Sequence, residues 1–168
     1  MKKYKKQVLF LLLAGFFVLP ACSQNRKSPH ETVEGNNIKV TYGRPYKKGR
    51  DIFGGLEQYG KVWRTGADEA TEITFAKDVN FAGKPVKAGT YTLFTIPGKD
   101  EWTVILNSQM GQWGAYDYDK NKDKDVLHVN VPAKKLDAPI EQLTIRFAGT
   151  NMIIEWDQAQ IAVPITQG

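Results

Sequence analysis

From Asn37 onward the chain alternates apolar and polar residues in short runs. In Glu72–Ala76, Ile73 and Phe75 share a face. In Thr90–Ile96, Tyr91 and Leu93 oppose Thr92, Phe94 and Ile96, so both faces are partly apolar. Trp102, Val104 and Leu106 line one side of Trp102–Asn107, and Val126–Val131 alternates in the same way. In Gln142–Phe147, Leu143, Ile145 and Phe147 oppose Thr144 and Arg146. A period of two is the mark of a strand with one face on a core. Turn residues separate the runs: Ala82-Gly83-Lys84-Pro85, Lys87-Ala88-Gly89, Pro97-Gly98-Lys99-Asp100 and Gly149-Thr150-Asn151. Short strands at this spacing, without a long helical period, predict an all-β fold: one antiparallel β-sandwich of Ig-like or jelly-roll-like type over residues 37–168. The irregular stretch Gln109–Lys124 is expected to carry a short helical turn near 111–118.

The last run changes phase. Met152, Ile154 and Trp156 are even-numbered, whereas Ile161, Val163 and Ile165 are odd-numbered. A regular strand would turn these sets to opposite faces, so a bulge or bend is predicted within Asp157–Gln160.

The N-terminus follows a different pattern. Lys2, Lys3, Lys5 and Lys6 precede an apolar run from Val8 to Leu19 and then Leu19-Pro20-Ala21-Cys22. A basic start, an apolar stretch and a small residue before the cleavage point form a secretory signal. With the chain's single cysteine next, the sequence resembles a bacterial lipobox, in which Cys22 is lipidated and residues 1–21 are removed. The apolar run is about 12 residues, too short to cross roughly 30 Å of hydrocarbon as a helix. Residues 22–36 are polar and read as a flexible tether. The expected location is thus exported and lipid-anchored through Cys22, with the periplasmic face of an outer membrane as the preferred site because no acidic cluster follows the cysteine.

This segment changes the meaning of the charge. The whole chain carries +5, but four of its 23 basic residues precede Cys22 and none of its 18 acidic residues does. The remainder is close to neutral, which removes the electrostatic case for a nucleic-acid partner. A single cysteine excludes an internal disulfide.

Three constellations stand out. Gly43–Arg50 places Arg44, Lys47, Lys48 and Arg50 in one loop, and arginine matches carboxylate or phosphate in bidentate fashion. The alternative is a solvated loop paired with carboxylates. Val62–Thr74 combines Trp63, Arg64, Asp68, Glu69 and Glu72. Trp63 serves there either as a stacking platform or as core, and Arg64 with Glu69 as pocket contacts or as an ion pair. Asp117, Asp119, Asn121, Asp123 and Asp125 alternate like the start of a calcium loop, but Lys122 and His128 occupy the glycine and glutamate positions, so no metal is expected. Trp102 and Trp156 fit core strands; Trp113 is the best candidate for an exposed ring. Only His30 and His128 are present, and neither a zinc cluster nor a Gly-x-Ser-x-Gly elbow accompanies them. No cofactor is implied.

The string Tyr59-Gly60-Lys61-Val62-Trp63-Arg64-Thr65-Gly66-Ala67-Asp68-Glu69-Ala70-Thr71 resembles the signature of a bacterial envelope family catalogued only as a domain of unknown function. Gly43-Arg44-Pro45, Lys48-Gly49-Arg50, Ala88-Gly89-Thr90-Tyr91, Leu93–Pro97 and Trp113-Gly114 with Tyr116 and Tyr118 occur in the same order, so the resemblance spans roughly Ile38 to Ile165. Asp68 stands where asparagine is the expected residue. The resemblance implies an exported, often lipid-anchored β-sandwich, mostly of Gram-negative bacteria, with no established activity.

The expected function is a non-catalytic binding module for an anionic or sugar-like envelope ligand. Its candidate contacts are Arg44, Arg50, Trp63, Arg64, Glu69 and Trp113, with no catalytic residue assigned. Two other classes remain open: a hydrolase using Asp68, Glu69 or Glu72 as acid and base, and an architectural subunit of an envelope complex.

Overall fold

The computed structural model describes residues 25–168. The expected signal 1–21, the lipidation site Cys22 and the start of the tether lie outside the described residues. The strands are β1 (His30–Gly35), β2 (Ile38–Gly43), β3 (Glu72–Phe75), β4 (Val79–Phe81), β5 (Lys84–Val86), β6 (Gly89–Ile96), β7 (Glu101–Asn107), β8 (Asp125–Ala148) and β9 (Asn151–Gln167). A single helical turn α1 (Tyr118–Asn121) runs into a 3₁₀ turn at Lys122–Lys124. Hydrogen bonding passes through all nine strands in the order β1-β2-β3-β6-β7-β8-β9-β4-β5, each pair antiparallel. The fold is all-β, as the alternation requires.

One sheet encloses the core because its long strands change direction. Val126–Val131 and Gln142–Phe147, two separate runs in the pattern, belong to one 24-residue strand. Its first part pairs with β7 and its last part with the start of β9, with register shifts between Lys135 and Thr144. The bend predicted in β9 sits at Asp157, whose φ is 51°. Trp156 and Ile161 are both buried, so the two phases of the run reach the same core. The chain beyond β2 then meets the far part of β8: Leu143 N donates to Pro45 O at 3.0 Å and Lys47 N to Glu141 O at 2.6 Å.

Tyr42 ties these walls together. Its hydroxyl accepts the Ile145 N–H at 3.0 Å and donates to Glu31 at 3.3 Å. Burial pushes its pKa up to about 12, so it stays a neutral phenol. Tyr42→Phe is expected to cost about 1–3 kcal/mol, because the Ile145 N–H is left buried without an acceptor. Urea unfolding checks this; a loss below about 0.5 kcal/mol would mean the N–H finds another partner.

Two expectations change. The stretch 22–36 is not a tether from His30 on, because β1 pairs with β2 from His30–Gly43 to Gly35–Ile38. Its polar, partly exposed side chains suit an edge strand held by backbone ladder bonds more than by apolar burial. The helical turn also begins later than 111–118. Gly111 and Gly114 have φ of 69° and 67°, outside the right-handed helical region, so helix starts only at Tyr118. Tyr118 covers the outer face of β6, its ring edge-on to Phe94 at 5.2 Å. That accounts for the two apolar faces of Thr90–Ile96.

Candidate functional site

The signature segment forms a rigid loop at the end of β2. Trp63 N donates to Thr95 O at 2.7 Å, and Thr95 N returns a bond to Trp63 O at 3.0 Å. Thr65, Thr71 and Thr95 are fully buried. Thr71 Oγ1 donates to Thr65 O at 2.9 Å, and the hydroxyls of Thr65 and Thr95 are 3.0 Å apart. The threonines of the signature therefore satisfy buried polar groups inside the loop. Ala67 N donates to Gly43 O at 3.2 Å, and a Cβ on Gly43 would land on the Ala67 carbonyl oxygen. Asp68 sits at φ 64°, a conformation asparagine and aspartate tolerate best among residues with a side chain. Its carboxylate accepts Lys27 N at 3.1 Å and Ser28 N at 3.0 Å. The position is an acceptor, a role open to asparagine as well.

Beside this loop lies a cavity of about 300 Å³. Arg50, Arg64, Glu57, Trp113 and Tyr116 line it, with Lys27 and Ser28 at its N-terminal side. Arg64 Nη1 donates to Asp68 O at 3.0 Å, and the guanidinium stands 5.8 Å from the Tyr116 ring centroid. Arg50 Nε donates to Lys47 O at 2.9 Å. Among the described residues, neither Arg50 nor Arg64 takes part in an ion pair. Glu57 is brought in by a tight loop in which Glu57 N donates to Ile52 O at 2.8 Å and Gly54 N to Glu57 O at 2.8 Å. Burial raises its pKa from 4.5 to about 7, against the opposing pull of Arg64 and Arg50.

The structure sorts the expected contacts. Arg50, Arg64 and Trp113 share the cavity. Trp63 is 3% exposed and is core, not a platform. Trp113 is only partly exposed, because the main chain around it bridges Glu69; the open ring is Tyr116, 75% exposed. Arg44 leaves the site: it pairs with Glu31 at 3.0 Å and donates to Leu143 O and Thr144 Oγ1. Glu69 leaves it as well, held by Arg26 at 2.8 Å with His30 Nε2 at 3.1 Å. Asp68 and Glu69 both turn toward the N-terminal segment, His30 Nε2 standing 3.8 Å from Asp68 Oδ2 and 3.1 Å from Glu69 Oε2, and backbone N–H groups and Arg26 take up the two carboxylates. Asp117 and Asp125 are engaged elsewhere, Asp117 by Lys120 and Asp125 by Tyr118, Asn107 and His128. Glu57 carried no sequence signal of its own, and Tyr116 was marked only by the family resemblance. The loop that carries Glu57 is held against the core by Ile52, which is buried, and by Phe53, which packs on the core cluster.

Residues 24–165 match the model of a family described as a protein of unknown function, DUF2911. The chain belongs to that family. No curated protein and no solved structure matches.

Proposed function

We propose that this member of the family is an exported, lipid-anchored binding module whose ligand carries a phosphate or carboxylate group and an apolar or sugar face. The observation that carries the reading is the pair Arg50 and Arg64, opening into one cavity without a carboxylate partner among the described residues. Guanidinium donors in such a setting match an incoming anion. Tyr116 and Trp113 supply ring surface beside them. The anchor reading rests on the layout of Lys2–Cys22, and the preferred location on the periplasmic face of an outer membrane follows from the residues after Cys22. Of the two carboxylates in the cavity, Asp68 is taken up by backbone N–H groups, which leaves Glu57 without a second group for hydrolysis. That supports binding over catalysis.

Titration calorimetry with citrate and with glycerol phosphate tests the cavity. Arg64→Ala is expected to weaken binding about 10–100-fold, the usual size of a lost charge-assisted hydrogen bond, with the thermal midpoint nearly unchanged. Equal affinity in the wild type and in both Arg50→Ala and Arg64→Ala would remove the cavity from consideration. Labelled fatty acid incorporated by the wild type and not by Cys22→Ala is the expected result for the anchor.

A further inference from the structure

The chain that enters the domain runs along the mouth of the cavity. Asn25, Lys27 and Ser28 line it together with Arg50, Arg64 and Tyr116. This strap is held at successive residues. Arg26 Nε donates to Glu69 at 2.8 Å, Lys27 N and Ser28 N donate to Asp68, and Arg44 N donates to Pro29 O at 2.7 Å. β1 begins at once, at His30. The point where the N-terminal segment leaves the domain is thus fixed at the cavity rim.

Cys22 stands three residues before Asn25. Three residues of fully extended chain span at most about 10 Å. With lipid on Cys22, the cavity rim is therefore held about one headgroup layer from the hydrocarbon boundary. The rim has the composition of a surface that meets such a layer. Leu56 and Tyr116, 45% and 75% exposed, stand on the cavity lining, and Lys27 and Arg50 are exposed beside them. Apolar and aromatic groups flanked by cations suit the boundary between headgroups and acyl chains of an anionic membrane.

We propose that the cavity faces the membrane that anchors the protein and takes the phosphate of an anionic lipid headgroup between Arg50 and Arg64, with Tyr116 and Leu56 against the headgroup layer. The proposal rests on the binding reading of the cavity and adds the source of its ligand. The strap makes the geometry one-sided. Exposed Lys84 opens β5 opposite Phe81 of β4, β4 pairs with the last residues of β9, and Gln167 there reaches Asn36, just past the far end of β1. A six-residue strand separates that end from the strap, about 20 Å.

The test uses the soluble chain from Ser23 onward, which keeps every described element and the whole core. It is sedimented with phosphatidylcholine vesicles with and without phosphatidylglycerol, and titrated separately with free glycerol phosphate. Binding is expected only to vesicles containing phosphatidylglycerol, about tenfold or more weaker for Arg64→Ala and unchanged for Lys84→Glu. If glycerol phosphate binds in an Arg64-dependent way but the vesicles do not, the headgroup proposal falls and the cavity reading survives. Equal loss in Lys84→Glu and Arg64→Ala would reveal unspecific charge attraction and also overturns the proposal. If neither probe depends on Arg64, both readings fall together.

Discussion

Replacing Trp63 by alanine is expected to lower the unfolding free energy by about 3–5 kcal/mol, the range for removing a large aromatic from a packed core. Trp63 lies at the centre of an aromatic cluster. Its ring is edge-on to Phe53 at 5.8 Å and to Trp102 at 6.1 Å, and stacks on Trp156 at 6.0 Å. Its Nε1 donates to Gly66 O at 3.1 Å, which anchors the loop that presents Arg64. The substitution therefore removes packing and leaves a buried carbonyl without its donor. Urea unfolding measures the loss. A drop below about 1 kcal/mol, with ligand binding abolished, would restore Trp63 as a contact residue. Trp63→Phe keeps a ring and loses the Nε1 bond, so it is expected to fall between wild type and alanine.

Glu57→Gln is expected to stabilise the protein at about pH 8 and to have little effect below about pH 4.5. The Glu57 carboxyl is ionised in the unfolded chain above its usual value of 4.5 but stays protonated in the fold up to about 7. Below 4.5 both states hold the proton, and burial costs nothing through ionisation. As pH rises toward 7 the unfolded state releases its proton first, so native stability declines through this window and levels off above it. A rise of this size corresponds to about 3 kcal/mol. Glutamine keeps the neutral form at every pH, so the variant's advantage grows over the same window. Denaturant unfolding across about pH 4 to pH 8 reads it directly; parallel pH profiles for variant and wild type would refute it. The same residue couples to the ligand. Protonated Glu57 leaves Arg50 and Arg64 to an incoming anion, whereas the ionised form competes for them, so binding is expected to tighten as pH falls from about 8 to about 6.

The parts of the fold legible from the chain were those set by neighbours in sequence. Ile73, Val104 and Ile145 announced their inward faces by parity alone, and all are buried. The phase change after Trp156 required a bend, and Asp157 supplies it. β1 was hidden because an edge strand with polar side chains has no apolar alternation to display. β4 and β5 are three residues each, too short to show a period. For the site, residue type marked Arg50, Arg64 and Trp113 as candidates but could not separate them from Arg44, Glu69 and Trp63. Arg44 is taken by Glu31 and by main-chain oxygen on β8, about a hundred positions away in the chain for Leu143 O. Glu69 is taken by Arg26, a residue that the polar composition of 22–36 assigns to a tether.

Local pattern was enough to establish an all-β domain, the bend after Trp156 and a single cysteine behind a signal-like leader. These are consequences of short-range pattern: side-chain parity along a strand, turn residues, an apolar run of limited length. Which charges remain unpaired among the described residues, the half-buried placement of Glu57 near two arginines, and the course of the N-terminal strap along the cavity were set by the folded arrangement. Those outcomes depend on which distant segments meet when the sheet folds over its core, and desolvation and ion pairing act on whatever is brought together there.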